Sequence, residues 1–212
     1  MNLETKKNYN LSFLIIIINI IVFFLSLILY NMEIIRLNLY LGLNPTLFVE
    51  YKHYWTPITY MFAHGNISHL FFNMFALFIF GHSLEQKMGS IPFITYYFVT
   101  GVLAGLFSLL LYWFFHINVL LIGASGAIYA LLFAYAVFYP NRKLYFWGIV
   151  PISPPVLILI YTAIDLYSQI FGSTNIAHLT HLSGLLFAYL FFRLVYKINP
   201  LFIFMNYKKF TK

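Results

Sequence analysis

The chain has 212 residues, of which 62% are hydrophobic and 8% charged, and its mean hydropathy is +0.86. Soluble domains carry about 25% charged residues, and a chain of this length cannot hide so much apolar surface from water. Intrinsic disorder is excluded too, because it requires low hydrophobicity and high charge. The composition therefore predicts an all-α polytopic membrane protein, since helices satisfy their own backbone groups in lipid.

Two further features of the composition exclude other classes. The chain has no Cys, which excludes disulfides, a thiolate nucleophile and a cysteine-ligated metal site. The net charge of +7 comes from basic residues scattered among apolar stretches. This pattern favours membrane topology over a nucleic-acid partner.

Six apolar stretches are separated by polar or proline-containing breaks, and we expect one domain of six transmembrane helices over residues 1–212. His116–Asn118 interrupts a long stretch without charge, and Pro155 suits the first turn of a helix. The predicted spans are 11–30, 58–81, 91–115, 123–139, 155–171 and 175–196. No small-residue cleavage site follows the first span, so we expect it to be an uncleaved anchor.

Basic residues predict the orientation of these spans. With a cytoplasmic N-terminus, ten Lys and Arg residues fall in inside segments and only Arg36 and Lys52 fall outside. The positive-inside rule therefore predicts cytoplasmic N- and C-termini. We expect the protein to lie in the inner or plasma membrane of the cell.

Polar residues within the spans are functional candidates, because polar groups are costly at membrane depth. His69, Ser125 and His181 lie 15 or 16 residues from the cytoplasmic ends of their predicted helices, or about 22–24 Å. Three polar groups at one depth on three helices predict a single site nearer the outer face. Asn73 and Tyr129 follow one helical turn after His69 and Ser125 on the same faces.

Small residues indicate how two of these helices meet. Gly126, Ala130 and Ala134 form one stripe, and Gly184 and Ala188 form another. Such stripes allow membrane helices to approach closely. We therefore expect Ser125 to lie beside a histidine of the last helix.

These residue types suit acyl transfer. A serine hydroxyl becomes a nucleophile when histidine removes its proton. Gly123 and Gly126 allow close approach of backbone, and a helix N-terminus with side-chain donors from His69 and Asn73 suits an oxyanion.

Three motifs resemble those of the rhomboid intramembrane serine proteases and follow one another along the chain in the same order as in that family. They are Gly123-Ala-Ser-Gly126, His69-xxx-Asn73, and His181 followed by Gly184 and Ala188, and the similarity runs from about Trp55 to Ala188. The resemblance implies a six-helix bundle with a Ser/His dyad in a wet cavity. It also implies roles for individual residues: Ser125 as nucleophile, His181 as general base, Tyr129 against the ring of the base, and His69, Asn73 and the Ser125 amide as the oxyanion hole.

The sequence departs from the family pattern in several places. Thr56 follows Trp55 where many members have arginine, and Ala188 stands where glycine is common. His178 is a second candidate base, but choosing it would put Gly184 out of register, and it lies almost one turn nearer the surface. Any role of His178 stays open.

Three other polar residues receive structural expectations. His64 is expected to tether the first loop or a water, and Glu85 to anchor a loop at the inner interface. Asp165 is expected to reach outside water rather than complete a triad, because a buried charge is costly.

The sequence thus predicts an intramembrane serine endopeptidase that needs no cofactor or metal and cuts transmembrane segments of membrane proteins near the outer face. One alternative is a catalytically inactive rhomboid-like factor that binds membrane proteins. Another is a transporter or metal site built from the histidines and Asp165, but the chain has no broken-helix repeats and no His-Glu-xx-His motif.

Overall fold

The computed structural model describes residues 9–146, 149–171 and 178–207. These residues are mainly helical, with one pair of short antiparallel strands between two helices. The helices are α1 (Leu11–Asn31), α2 (Leu37–Leu41), α3 (Pro45–Val49), α4 (Thr56–Thr59), α5 (Ile67–Ala76), α6 (His82–Met88), α7 (Ser90–Phe114), α8 (Ser125–Phe138), α9 (Pro154–Phe171), α10 (His178–Leu194) and α11 (Pro200–Asn206), and the strands are β1 (Leu144–Phe146) and β2 (Val150–Ile152).

Four helices of the described ranges are long and apolar enough to cross a bilayer. They are α1, the continuous rod from Ile67 to Met88 that contains α5 and α6, α7 and α9. Helix α8 is apolar but has only 14 residues, and α10 has 17. The prediction of an all-α polytopic membrane protein is confirmed.

The second helix differs most from its predicted bounds of 58–81. Residues 56–62 form α4 and one turn of 3₁₀ helix, and the long rod begins only at Ile67. Asn66 caps this start, since its side chain accepts a hydrogen bond from the backbone of His69 at 2.8 Å. The rod then passes through a π-helical turn at Leu77–Gly81. It ends before Gly89, which has a φ of 90°, a value that residues with a side chain rarely adopt.

The other predicted spans can be compared with the helices beside them. Spans 11–30, 91–115, 123–139 and 155–171 lie on α1, α7, α8 and α9. The sixth, 175–196, overlaps α10, and its first three residues lie outside the described residues. The strand pair at residues 144–152 was not expected from the sequence.

Helix α8 lies at the centre of the bundle and packs between α7 and α10. Eleven of its 14 residues are buried. The Tyr96 hydroxyl of α7 donates to the backbone oxygen of Ala130 at 2.6 Å, and Tyr60 makes the same kind of bond to Gly101. Both bonds satisfy buried hydroxyl groups, and the first ties α8 to α7.

A buried carboxylate fastens the start of α1. Glu85 is fully buried and accepts hydrogen bonds from the backbone of Leu11 at 2.7 Å and of Ser12 at 2.9 Å. The hydroxyls of Ser12 and Ser90 donate to it as well. Glu85 therefore caps the N-terminus of α1, because these backbone N–H groups have no partner within the helix. The anchoring role expected of Glu85 is present, although its partners lie at the start of a helix and not in a loop.

Candidate active site

Ser125 is held at the first residue of α8 by two contacts from the first connection, which joins α1 to α5 over residues 32–66. Leu43 and Leu121 form an antiparallel bridge, with N–O distances of 2.9 and 2.8 Å. Two residues later, the backbone N–H of Gly123 donates to the backbone oxygen of Tyr60 at 2.9 Å. Gly123 has a φ of 116°, which is strained for any L-residue, so glycine is required to turn the chain into α8 at this point.

Glycines allow α8 and α10 to touch backbone to backbone. A Cβ at Gly184 would overlap the carbonyl oxygen of Gly126 and lie 3.0 Å from its carbonyl carbon. A Cβ at Gly126 would meet Thr180 at 3.0 Å and Ala104 at 3.3 Å. The close approach expected from the small-residue stripes is present, and it brings the starts of both helices together.

This helix contact brings Ser125 and His181 within hydrogen-bonding distance. The Oγ atom of Ser125 lies 2.8 Å from Nε2 of His181. The ring of Tyr129 stacks on the imidazole, with centroids 4.3 Å apart and planes at 11°. Both members of the pair are partly buried. A hydroxyl that faces an oriented imidazole at this distance is the arrangement that activates a serine.

Asp165 of α9 completes a buried cluster, contrary to the expectation that it reaches outside water. It is 2% exposed, and its Oδ1 lies 2.6 Å from Nδ1 of His178 and 3.2 Å from Nδ1 of His181. Single ligand atoms of these three residues lie within 4.8 Å of one another, a spacing that a metal ion could also use. Their hydrogen bonds to each other give the donor atoms partners without one.

His69 lies beside the turn that precedes Ser125. A Cβ at Gly123 would come within 2.5 Å of Nε2 of His69, so the imidazole rests against that glycine. Asn73 is buried, and its amide donates to the backbone oxygen of His69 at 2.9 Å, which leaves its second amide hydrogen for another acceptor.

His64 connects the first loop to this region through its backbone oxygen and not through its ring. It is 1% exposed, and its backbone oxygen accepts from the amide of Asn38 at 3.1 Å. Its ring meets that of His69 edge to face, with centroids 5.0 Å apart. The edge contact restricts the position of the His69 ring.

The fold and the site together define a helical membrane protein with a serine–histidine pair at the ends of two embedded helices. A place for Asp165 beside the catalytic candidates was not predicted from the sequence. The only local signal in the sequence was the His-xx-His spacing of α10. This spacing puts both rings on one face of the helix, where a single group on a neighbouring helix can contact them both.

Comparisons with known proteins agree with this class. The family model described as Rhomboid domain matches residues 51–198, which include α4 to α10. The chain belongs to the rhomboid family, and the predicted rhomboid-like bundle is confirmed.

Two relatives come from Arabidopsis thaliana. "Rhomboid-like protein 11, chloroplastic" is 35% identical over 85 residues, which are 40% of this chain and 29% of the relative. "RHOMBOID-like protein 6, mitochondrial" is 37% identical over 84 residues, 40% of this chain and 26% of the relative. The chain thus matches less than a third of the length of these relatives.

Proposed function

We propose that the protein is an intramembrane serine endopeptidase that cleaves transmembrane segments of other membrane proteins. The observation that carries the proposal is the 2.8 Å contact between Ser125 Oγ and His181 Nε2. A serine that only packs helices together has no need of an aligned imidazole. An inactive binding protein has no need of one either, and nothing in the site favours that alternative.

In the proposed reaction, His181 takes the proton of Ser125 as the hydroxyl attacks the carbonyl carbon of the scissile bond. The resulting imidazolium then gives this proton to the departing amine, which leaves an acyl-enzyme on Ser125. A water molecule, deprotonated by the same imidazole, attacks the ester and releases the second product. Tyr129 holds the imidazole by stacking, so that Nε2 faces the hydroxyl throughout.

The tetrahedral intermediate carries a negative charge that needs donors. We assign these to the free backbone N–H of Ser125 and to the side chains of His69 and Asn73. The first N–H groups of α8 have no partner within the helix and lie at the positive end of its dipole. His69 rests against Gly123, next to Ser125, and Asn73 keeps one amide hydrogen available. One such donor contributes roughly 10²–10³-fold in rate.

The length of α8 supports a site below the membrane surface. Its 14 residues rise about 21 Å, whereas the hydrocarbon core is about 30 Å thick. With the C-terminal end of α8 at the inner face, Ser125 lies about 9 Å below the outer face. A membrane segment unwound near its outer end presents a peptide bond at this depth, whereas an intact helix hides it.

The proposed orientation has both termini in the cytoplasm of a cell whose inner or plasma membrane holds the protein. The excess of basic residues in the segments assigned to the inside supports it. The start of α1 lies against Glu85 near the end of the Ile67–Met88 rod, so both belong to one face of the bundle. Ser125 begins a helix at the opposite end of the bundle.

The test uses purified protein in liposomes with a panel of tagged single-pass segments. Half of the panel carries Gly or Pro near the outer end, and half carries an uninterrupted Leu-rich helix. We expect wild type to cut the first set faster, and Ser125→Ala and His181→Ala to cut neither. Ser83→Ala is the matched control, because its hydroxyl bonds to its own helix at Ile79.

Two results would contradict the proposal. One is cleavage by Ser125→Ala at the rate of wild type. The other is stable binding of the weakened segments by folded wild type without cleavage of any of them, which would indicate the inactive alternative.

A further inference from the structure

One carboxylate oxygen on α9 contacts both histidines at the start of α10. Asp165 is the only aspartate of the chain. Its Oδ1 lies within hydrogen-bonding distance of Nδ1 of His178 and of His181, at 2.6 and 3.2 Å. The two rings stand nearly perpendicular, with planes at 89° and centroids 6.1 Å apart. They therefore approach the same oxygen from different directions.

This geometry determines which nitrogen of His181 carries hydrogen. A carboxylate oxygen only accepts hydrogen bonds, so Nδ1 of His181 must be the donor. A neutral imidazole has one N–H, so Nε2 is left with its lone pair directed at Ser125 Oγ. That tautomer is the one that a general base needs. Without a third group, either nitrogen can carry the hydrogen, and part of the population is inactive.

His178 keeps the carboxylate in place. A buried carboxylate is stable only when donors replace its water. Asp165 and His178 are both buried, and their contact is the shorter of the two. The stronger bond to His178 fixes the rotamer of Asp165, and the second lone pair of Oδ1 faces His181. Because His178 and His181 are three residues apart on one helix, α10 supplies both donors at a fixed separation.

We propose that Asp165 is a positioning residue that fixes the tautomer and ring orientation of His181, and that His178 holds Asp165 for this purpose. The inference rests on the proposed serine protease function. Neither residue touches substrate in this account. The pair instead acts through the base, so its removal lowers the turnover number and leaves substrate binding unchanged.

The kinetic test compares substitutions at both positions in liposomes. In Asp165→Asn an amide that also donates replaces an oxygen that only accepts. We expect kcat to fall between about 10²- and 10⁴-fold, the range seen when a base is misoriented or in the wrong tautomer, with KM unchanged. His178→Ala should lower kcat about tenfold, because it removes one charge-assisted hydrogen bond to Asp165. His178→Asn should recover most of that loss, because its amide nitrogen replaces Nδ1.

Controls separate positioning from folding. Gln169→Ala lies one turn after Asp165 on the same helix and is exposed, so it should behave as wild type. Thermal unfolding of each variant is followed in detergent micelles. If Asp165 only ties α9 to α10, its substitution will lower the unfolding temperature and leave kcat unchanged below that temperature, which overturns the inference.

A spectroscopic measurement tests the inference without any substrate. With ¹⁵N-labelled histidine, the signals of His181 are assigned by their absence in His181→Ala. We expect wild type to show hydrogen on Nδ1 of His181, and Asp165→Ala to show a mixture of both tautomers. The same tautomer in both proteins would refute the positioning role.

The cleavage assay and the nitrogen spectra together distinguish failure of the inference from failure of the proposed function. If wild type cleaves segments and Asp165→Asn cleaves equally well, the inference is wrong and the protease function stands. If wild type cleaves nothing, the protease proposal fails, and the nitrogen spectra still decide whether Asp165 sets the tautomer.

Discussion

Replacing Gly184 by alanine tests whether the contact between α8 and α10 sets the geometry of the site. Gly184 follows His181 by three residues on the same face of α10, and Gly126 follows Ser125 on α8. The backbone contact and the Ser–His contact therefore belong to one helix crossing. A methyl group at position 184 has no room, because it would overlap the carbonyl oxygen of Gly126.

The size of the effect follows from the distances. Moving the methyl group out to ordinary van der Waals contact requires the helices to separate by about 1 Å. The Ser125–His181 distance then grows from 2.8 Å to about 3.8 Å, beyond hydrogen-bonding reach. A misplacement of about 1 Å costs roughly 100-fold in rate. Overpacking of this kind lowers stability by about 1–3 kcal/mol, so the variant should still fold.

The assay measures cleavage of a weakened membrane segment, together with thermal unfolding in the same detergent. Gly65→Ala is the matched control, since the nearest atom to its new methyl is Ile122 Cδ1 at an ordinary 3.4 Å. We expect a large loss of kcat in Gly184→Ala and little change in Gly65→Ala. A folded Gly184→Ala protein with the activity of wild type would refute the idea that this crossing aligns the pair.

Three further predictions concern the scaffold and the chemistry. Glu85→Ala should lower the free energy of unfolding by at least about 2 kcal/mol, because it strands buried donors of Leu11 and Ser12, whereas exposed Glu50→Ala should not; equal stability of both variants in denaturant titrations would remove the capping role. Gly123→Ala should lose activity by roughly 10²–10³-fold, the loss of one well-placed oxyanion donor, because its methyl strains the turn and displaces His69; cleavage by this variant at the wild-type rate would show that the turn tolerates a side chain. Strong chelators should leave cleavage unchanged, because hydroxyl and imidazole perform the chemistry; inhibition that zinc reverses would instead favour a metal at Asp165, His178 and His181.

Helix bounds were predictable from sequence where breaks are abrupt and less so where polar residues lie inside an apolar stretch. The starts of α7 and α9 follow Gly89 and precede Pro155, which are strong local signals. The start of the second helix was placed nine residues early, at 58 instead of Ile67. Residues 58–63 are apolar enough to belong to a helix, and the capping role of Asn66 depends on a backbone turn that hydropathy does not report.

Residues of the site were predictable to the extent that their helices have a fixed register. The spacing of His181 and Gly184 favours His181 over His178 as the partner of Ser125. In the structure, Nε2 of His181 lies within hydrogen-bonding distance of Oγ of Ser125. The position of Asp165 depends on how α9 is rotated about its own axis. Helix packing across the whole bundle sets that rotation, and no short motif encodes it.

The first connection shows the same limit. The bridge from Leu43 to Leu121 and the bond from Gly123 to Tyr60 join segments far apart in the chain. None of the sequence predictions assigns this connection a contact with the turn before Ser125. Its function in holding the turn before Ser125 follows from tertiary contacts between backbone groups, which any residue type can make.

Covalent labelling of the serine tests the central claim most directly. Wild type, Ser125→Ala and His181→Ala are treated in micelles with a fluorophosphonate, and the modified peptide is identified by mass spectrometry. The account predicts a single adduct on Ser125 in wild type and none in either variant. Equal labelling of Ser125→Ala, or a folded wild type whose Ser125 does not react, would contradict it.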